Sequence, residues 1–144
     1  IPTPKDYYAK GLISEVHPGT KWAYGNHAFT TIGQLIEDIS GEPFSEYMMR
    51  HVLEPLGMNH TDYHLSDRVR EQLAQGYVFH RGKFKAVDYL EILVTGAGSM
   101  FSSVNDMAKY VSVLLNGGSN SSASLLKPET LQLMMQPHYQ ADPH

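Results

Sequence analysis

The chain has 144 residues, 42% hydrophobic and 18% charged, which is ordinary soluble usage and enough for one domain with a real core. A net charge of −4 without any Lys or Arg run argues against a nucleic-acid partner, whose phosphates need a basic face. The lack of Cys removes a disulfide framework and any thiolate zinc site but leaves the compartment open, and no apolar run approaches the length of a bilayer span.

The chain opens on Ile1-Pro2-Thr3-Pro4 without a methionine or signal peptide and closes on the polar tail PHYQADPH, so it is expected to be a piece of something longer. Tyr24 and Asn26 lie two apart in an extended loop, a spacing that points both side chains to one side, while Gly25 keeps the other side clear. From His27 to Ser40, Phe29, Ile32, Leu35, Ile36 and Ile39 recur at helical spacing, and Gly41 is placed to end the helix in a left-handed cap. A second helix starts at Pro43, runs through Phe44, Tyr47, Met48 and Val52, and stops near Glu54 before Pro55.

Tyr77, Phe79 and Phe84 around Arg81-Gly82 then predict a short β-hairpin. In GAGSMFSSVNDMAKYVSVLLNGG, Ser103 is placed to cap a helix with Asp106 at the capping-box position. Val104, Met107, Ala108, Val111, Leu114 and Leu115 form one face, and Gly117-Gly118 stops the run. The serine-rich stretch SNSSAS is expected to be a flexible connector, near 117–124. Pro128 opens a last short helix with Leu131, Met134 and Met135 facing inward. Trp22 and the Met48-Met49 and Met134-Met135 pairs are expected in the core. The sum is a mainly α domain with one small hairpin.

The chemistry resides in Tyr24 and Asn26. A phenol of ordinary pKa about 10 acts as a base near neutrality only when cations stabilise its phenolate. An asparagine can hold a carbonyl and orient a lysine at once. On spacing alone, a Tyr packing its ring while Asn caps the next helix is the commoner arrangement.

The stretch PGTKWAYGNHAFTTIGQLIEDISGEPFSEYMMRHVLEPLGMNHTDY resembles the central segment of the serine β-lactamase and penicillin-binding-protein superfamily. It is most similar to the branch holding class C β-lactamases, D-alanyl-D-alanine carboxypeptidases and related esterases and peptidases. The pieces that match are Pro18-Gly19-Thr20, Tyr24-x-Asn26, the helix ending at Ser40-Gly41 and Glu54-Pro55-Leu56-Gly57-Met58. GAGSMFSSVNDMAKYVSVLLNGG and LLKPETLQLMMQPH follow in the family's order. The resemblance implies three motifs around one cleft: an acylated serine in Ser-x-x-Lys, then Tyr-x-Asn, then His-x-Gly or Lys-Thr-Gly on a late strand. It implies Tyr24 as general base, Asn26 as the substrate-orienting amide, and Gly98 and Ser99 along the substrate cleft.

Two literal matches fall out of order. Ser124-Leu125-Leu126-Lys127 follows Tyr24 instead of preceding it, and Pro128 disfavours a helical turn at Lys127. His80-Arg81-Gly82 precedes the GAGSMF segment and is explained by a hairpin turn. The nucleophile and the late strand motif are therefore expected outside these residues. The chain is expected to be a single helical lobe, 1–144, of a two-lobed α+β hydrolase and inactive alone, with uncovered apolar surface that favours self-association. The other reading is a non-catalytic helical binding module of the same ancestry.

No cofactor is expected. His60 and His64 have zinc-compatible i, i+4 spacing only on a helix, and Pro55 and Asn59 argue for a loop there. Expected partners are small molecules or peptides: a β-lactam, a D-amino-acid peptide or an ester. The sequence sets no compartment, and the resemblance alone points to the periplasm or cell exterior.

Overall fold

The computed structural model describes residues 4–11, 13, 16–89, 94–121 and 123–139. Ile1-Pro2-Thr3, Ser122 of the serine-rich stretch and the end of the polar tail lie outside the described residues. The elements run α1 (Pro4–Tyr7), α2 (Asn26–Ser40), α3 (Phe44–Met48), a π turn (Met49–Leu53), α4 (Asp67–Gln72), β1 (Gly76–His80), β2 (Lys83–Val87), α5 (Val104–Leu115) and α6 (Pro128–Met134). The architecture is mainly helical with one two-stranded antiparallel sheet.

The turn chemistry anticipated from glycine is present. Gly41 sits at φ 74° and donates its N–H to the Glu37 carbonyl, closing α2 with a left-handed cap. The Glu37 carboxylate then accepts the Phe44 N–H at 2.8 Å, so the last turn of α2 satisfies the first free donor of α3. Beyond α3 the ladder lengthens: the Glu54 N–H reaches the Met49 carbonyl. Gly57, at φ 66°, ends this run with paired bonds, Met58 N–H to Leu53 and Gly57 N–H to Glu54. The hairpin turns at Arg81 and Gly82, both at positive φ, the type I′ geometry that matches strand twist.

The core is Phe44, Leu53, Leu56, Met58, Tyr63 and Val113, with Ile36, Met48, Met49, Val52, Tyr110 and Leu125 packed on it. Phe44 and Tyr63 meet edge to face at 5.5 Å. Helix α2 touches this core through Ile36 and, at Gly33, the Phe44 ring, and Thr30 and Gly33 form its buried face. Its stripe of Phe29, Ile32, Leu35 and Ile39 is exposed, Ile39 by 77%. Two expectations need correction. The buried face of α5 is Asp106 and Val113, with Tyr110 half-buried, whereas Val104, Val111 and Leu115 face outward. Of the last helix only Leu131 is buried, and Met134, Met135 and the upstream Trp22 are exposed. In each case the stripe read from periodicity exists, but nothing among the described residues covers it.

Asp106 is wholly buried and joins two distant segments. Its Oδ2 accepts the His60 N–H at 2.7 Å and the Thr61 hydroxyl at 2.9 Å, and its Oδ1 accepts Lys109 Nζ at 2.9 Å. Ser103 caps the same helix by accepting the Asp106 N–H. Burial alone pushes the Asp106 carboxyl up, but the hydrogen bonds from Lys109, His60 and Thr61, with the Lys109 charge, outweigh it and hold the group below its ordinary value of 3.8. Asp62 behaves alike, its burial outweighed by the His64 N–H, the Ser66 hydroxyl and Arg68.

Gly33 and Gly96 make the tightest approach. A Cβ on Gly96 would stand 2.3 Å from the Phe29 carbonyl oxygen, and one on Gly33 would stand 3.1 Å from the Gly96 Cα. Gly96→Ala should therefore destabilise the fold by about 1–3 kcal/mol through forced backbone shifts, read as a lower urea midpoint at unchanged m. For Asp106 and Asp62 both shifts point downward, so the carboxylates contribute stability that is complete above the ordinary value of 3.8 and lost as pH falls through the lower folded pKa. Urea midpoints should hold steady down to about the ordinary value of 3.8 and drop as pH falls from there toward the lower folded pKa. Asp106→Ala should cost about 3 kcal/mol at neutral pH, since three donors lose their acceptor, and should flatten the acid limb.

Candidate functional site

The loop before α2 is extended: Gly25 has φ −161° and ψ 124°, and Tyr24 and Asn26 flank it on the same side. The Tyr24 hydroxyl donates to Asn26 Oδ1 at 2.9 Å. Asn26 is the first residue of α2, and its side chain makes no capping bond; its backbone carbonyl accepts the Thr30 hydroxyl instead. The Asn26 amide is thus engaged by the phenol, while its Nδ2 donates to nothing among the described residues. Tyr24 is 75% exposed, so the pair stands on an open surface, and no lysine amine bonds to its hydroxyl among the described residues.

Next to the pair, α1 braces the head of α2. The Tyr8 hydroxyl is hydrogen-bonded to His27 Nδ1, and the Tyr7 ring stacks on the same imidazole at 6.0 Å and 14°. Sequence reasoning missed this brace, although the adjacent Tyr7-Tyr8 pair was its visible trace.

The loop holding Gly98 and Ser99 reaches α2 through Gly96, which lies against the Phe29–Gly33 turn, one turn beyond Asn26. Within the loop, the Ala97 N–H bonds to the Val94 carbonyl, and Ser99 is held at φ 68°, a conformation that L side chains seldom adopt. At its far end, Phe101 bridges Asp62 through paired backbone bonds of 2.8 and 3.0 Å, and Ser102 shares a hydrogen bond with Thr61. The structure therefore sets this loop beside the helix that carries Asn26, with Gly96 as the point of close approach. A groove of about 370 Å³ lies behind it, lined by His60, Arg68, Leu73, Phe101 and Ser102, and does not include Tyr24 or Asn26.

The two out-of-order matches lie elsewhere. Ser124 bridges Ser119, the Leu125 and Leu126 N–H groups both bond to the Gly118 carbonyl, and Lys127 is extended at ψ 145°, so Ser124 and Lys127 do not share a helical turn. His80-Arg81-Gly82 forms the hairpin turn. His60 and His64 lie in the loop between the π turn and α4, with His64 Nε2 3.1 Å from Ser45 Oγ.

The family model described as Beta-lactamase matches residues 5–143. The unguisins hydrolase ungD of Aspergillus violaceofuscus is 33% identical over 118 residues, which cover 76% of this chain and 21% of that protein. The putative penicillin-binding protein PbpX of Bacillus subtilis is 29% identical over 115 residues, 78% of this chain and 28% of its own. Among solved structures, the octameric penicillin-binding protein homologue from Pyrococcus abyssi superposes with a TM-score of 0.72 at 27% identity, over 93% of this chain and 30% of that one. The chain thus spans less than a third of the length of these relatives. With nearly every residue inside the family match and the fold shared, the chain belongs to the β-lactamase family.

Proposed function

We propose that the chain is the Tyr-x-Asn portion of a serine hydrolase that cleaves an amide or ester carbonyl through an acyl-enzyme. The observation that carries this reading is the Tyr24–Asn26 hydrogen bond at the head of α2, in a chain of this family. In the reading, Tyr24 as phenolate takes the proton of an attacking serine and later that of the deacylating water, while Asn26 aligns the substrate amide or carbonyl. The phenolate requires cations beside it. The serine and its lysine neighbour come from sequence outside these residues, as does the late strand motif. Gly98 and Ser99 border the cleft.

Three features support the division. The chain spans 21–30% of the length of the three relatives named above. The pair is solvent-exposed, whereas a base of this kind works in a water-poor, charged site. The exposed stripe of α2 begins at Phe29, one turn from Asn26, where a nucleophile-bearing element must pack to bring its serine to Tyr24. The substrate is a small molecule or peptide: a β-lactam, a D-amino-acid peptide or an ester. Alone, the chain is inactive and self-associates through its uncovered stripes.

The test is acylation read by intact mass. The 144-residue chain, incubated with a reporter β-lactam or a fluorophosphonate, should carry no adduct, and the protein expressed with its encoded flanking sequence should be labelled on a serine outside residues 1–144. An adduct on Ser124 would sink the proposal. In the longer protein, Tyr24→Phe should lower kcat/KM by about 10²–10⁴. Asn26→Ala, which removes one positioning bond, should lower it by roughly tenfold.

A further inference from the structure

The β1–β2 hairpin combines exposed aromatic side chains with three cations and no carboxylate. Three of the chain's 11 Lys and Arg, Arg81, Lys83 and Lys85, fall within residues 76–87, and none of its 15 Asp and Glu does. The stripe on α2 is the reverse case, with Glu37 and Asp38 on the helix and no Lys or Arg. In a protein of net charge −4, the ribbon and its turn thus carry a local charge of +3, with Asp88 directly after β2.

The register sorts the ribbon into two faces. Tyr77 opposite Ala86 and Phe79 opposite Phe84 share one face, with the two Phe rings 5.2 Å apart. Val78 opposite Lys85 and His80 opposite Lys83 share the other, and Arg81 is at the tip. Both faces are wet. Phe79 is 65% exposed and Phe84 75%, and no residue of either strand belongs to the core. The base is fastened, since Gln75 Nε2 donates to the carbonyls of Gly76 and Val87 at 3.0 and 2.9 Å. A two-stranded ribbon with no packed face is marginal in water. Beyond its base the ribbon is exposed on both faces, and at the base Gly76 and Val87 line a groove of about 600 Å³ with Leu65, Arg70 and Tyr89.

We propose that this hairpin is a docking element for an anionic lipid surface, entered tip first, with Phe79 and Phe84 at the level of the lipid glycerols and Arg81, Lys83 and Lys85 against the phosphates. A ribbon with aromatic groups on one face and cations on the other has to be surrounded, and a lipid headgroup layer surrounds it without a preformed groove. Lysine stems reach back toward phosphates while the rings stay in the apolar boundary. An acidic protein offers charge but needs a cleft to take up both faces.

The experiment is vesicle co-sedimentation of the 144-residue chain, with phosphatidylcholine alone and with phosphatidylcholine mixed with phosphatidylglycerol. Binding should appear only on the anionic vesicles and weaken with added salt. Each cation near such a surface contributes about fivefold in affinity, so Lys83→Gln with Lys85→Gln should weaken binding roughly 25-fold. Phe79→Ser with Phe84→Ser should also weaken it, and all four positions are exposed, so Tm should hold. A conservative probe covers a variant that fails to fold. Phe79→Trp in a Trp22→Phe background should shift its emission to the blue on anionic vesicles and be quenched by brominated acyl chains. Binding that ignores lipid charge, binding that survives both double variants, or a tryptophan that stays in water would overturn the proposal. So would equal binding to polyglutamate that does not need Phe79 and Phe84, which would make the hairpin a site for acidic protein.

Discussion

The arrangement of this chain hangs on one buried carboxylate. Asp106 gathers the His60 N–H, the Thr61 hydroxyl and the Lys109 amine, three donors that would otherwise be left dry or half-dry where the loop after the π turn meets α5. That junction also fixes Ser102 on Thr61 and Phe101 on Asp62. From Phe101 the chain runs back to Gly96, which rests on Phe29 and Gly33 of α2. A line of polar and close backbone contacts thus leads from α5 to the helix whose first residue is Asn26. The helix that begins at Asn26 is thus tied to Asp106, 80 residues later in sequence.

Two kinds of uncovered apolar surface follow from that frame, and charge separates them. The stripes on α2 and α5 are long and helical, and α2 itself carries no Lys or Arg, which suits burial against other parts of a larger protein fold. The hairpin is narrow, wet on both faces and basic. Similar exposed area therefore carries different physical meaning in the two places, because the cost of burying a lysine is paid easily at a phosphate layer and poorly inside a protein core.

Much of this was legible before any coordinates. Gly41 announces a left-handed cap and Arg81-Gly82 a hairpin turn, and Ser103 with Asp106 announces a helix start. The Tyr24–Asn26 spacing predicts a shared side, and the side chains meet. What periodicity could not give was which stripe is covered. The apolar face of α5 was visible, yet the face turned inward is led by Asp106, since hydrogen-bond donors from a loop 45 residues earlier select it. The Gly33–Gly96 approach was equally hidden, as two isolated glycines show a close contact only once the chain is folded. Helices α1 and α4 have four and six residues, too few for a period to register.

The π turn from Met49 to Leu53 has a bearing on how this chain is aligned with other sequences. Its Glu54-to-Met49 bond holds one residue more than an α-helical ring, and an α-helix advances about 100° per residue. A homologue one residue shorter between Met48 and Pro55 can keep Leu53, Leu56 and Met58 directed at the same core by winding that stretch as ordinary α-helix. A single gap there is then a change of winding rather than a lost contact, and the Pro55-Leu56-Gly57 ending stays in phase on both sides of it.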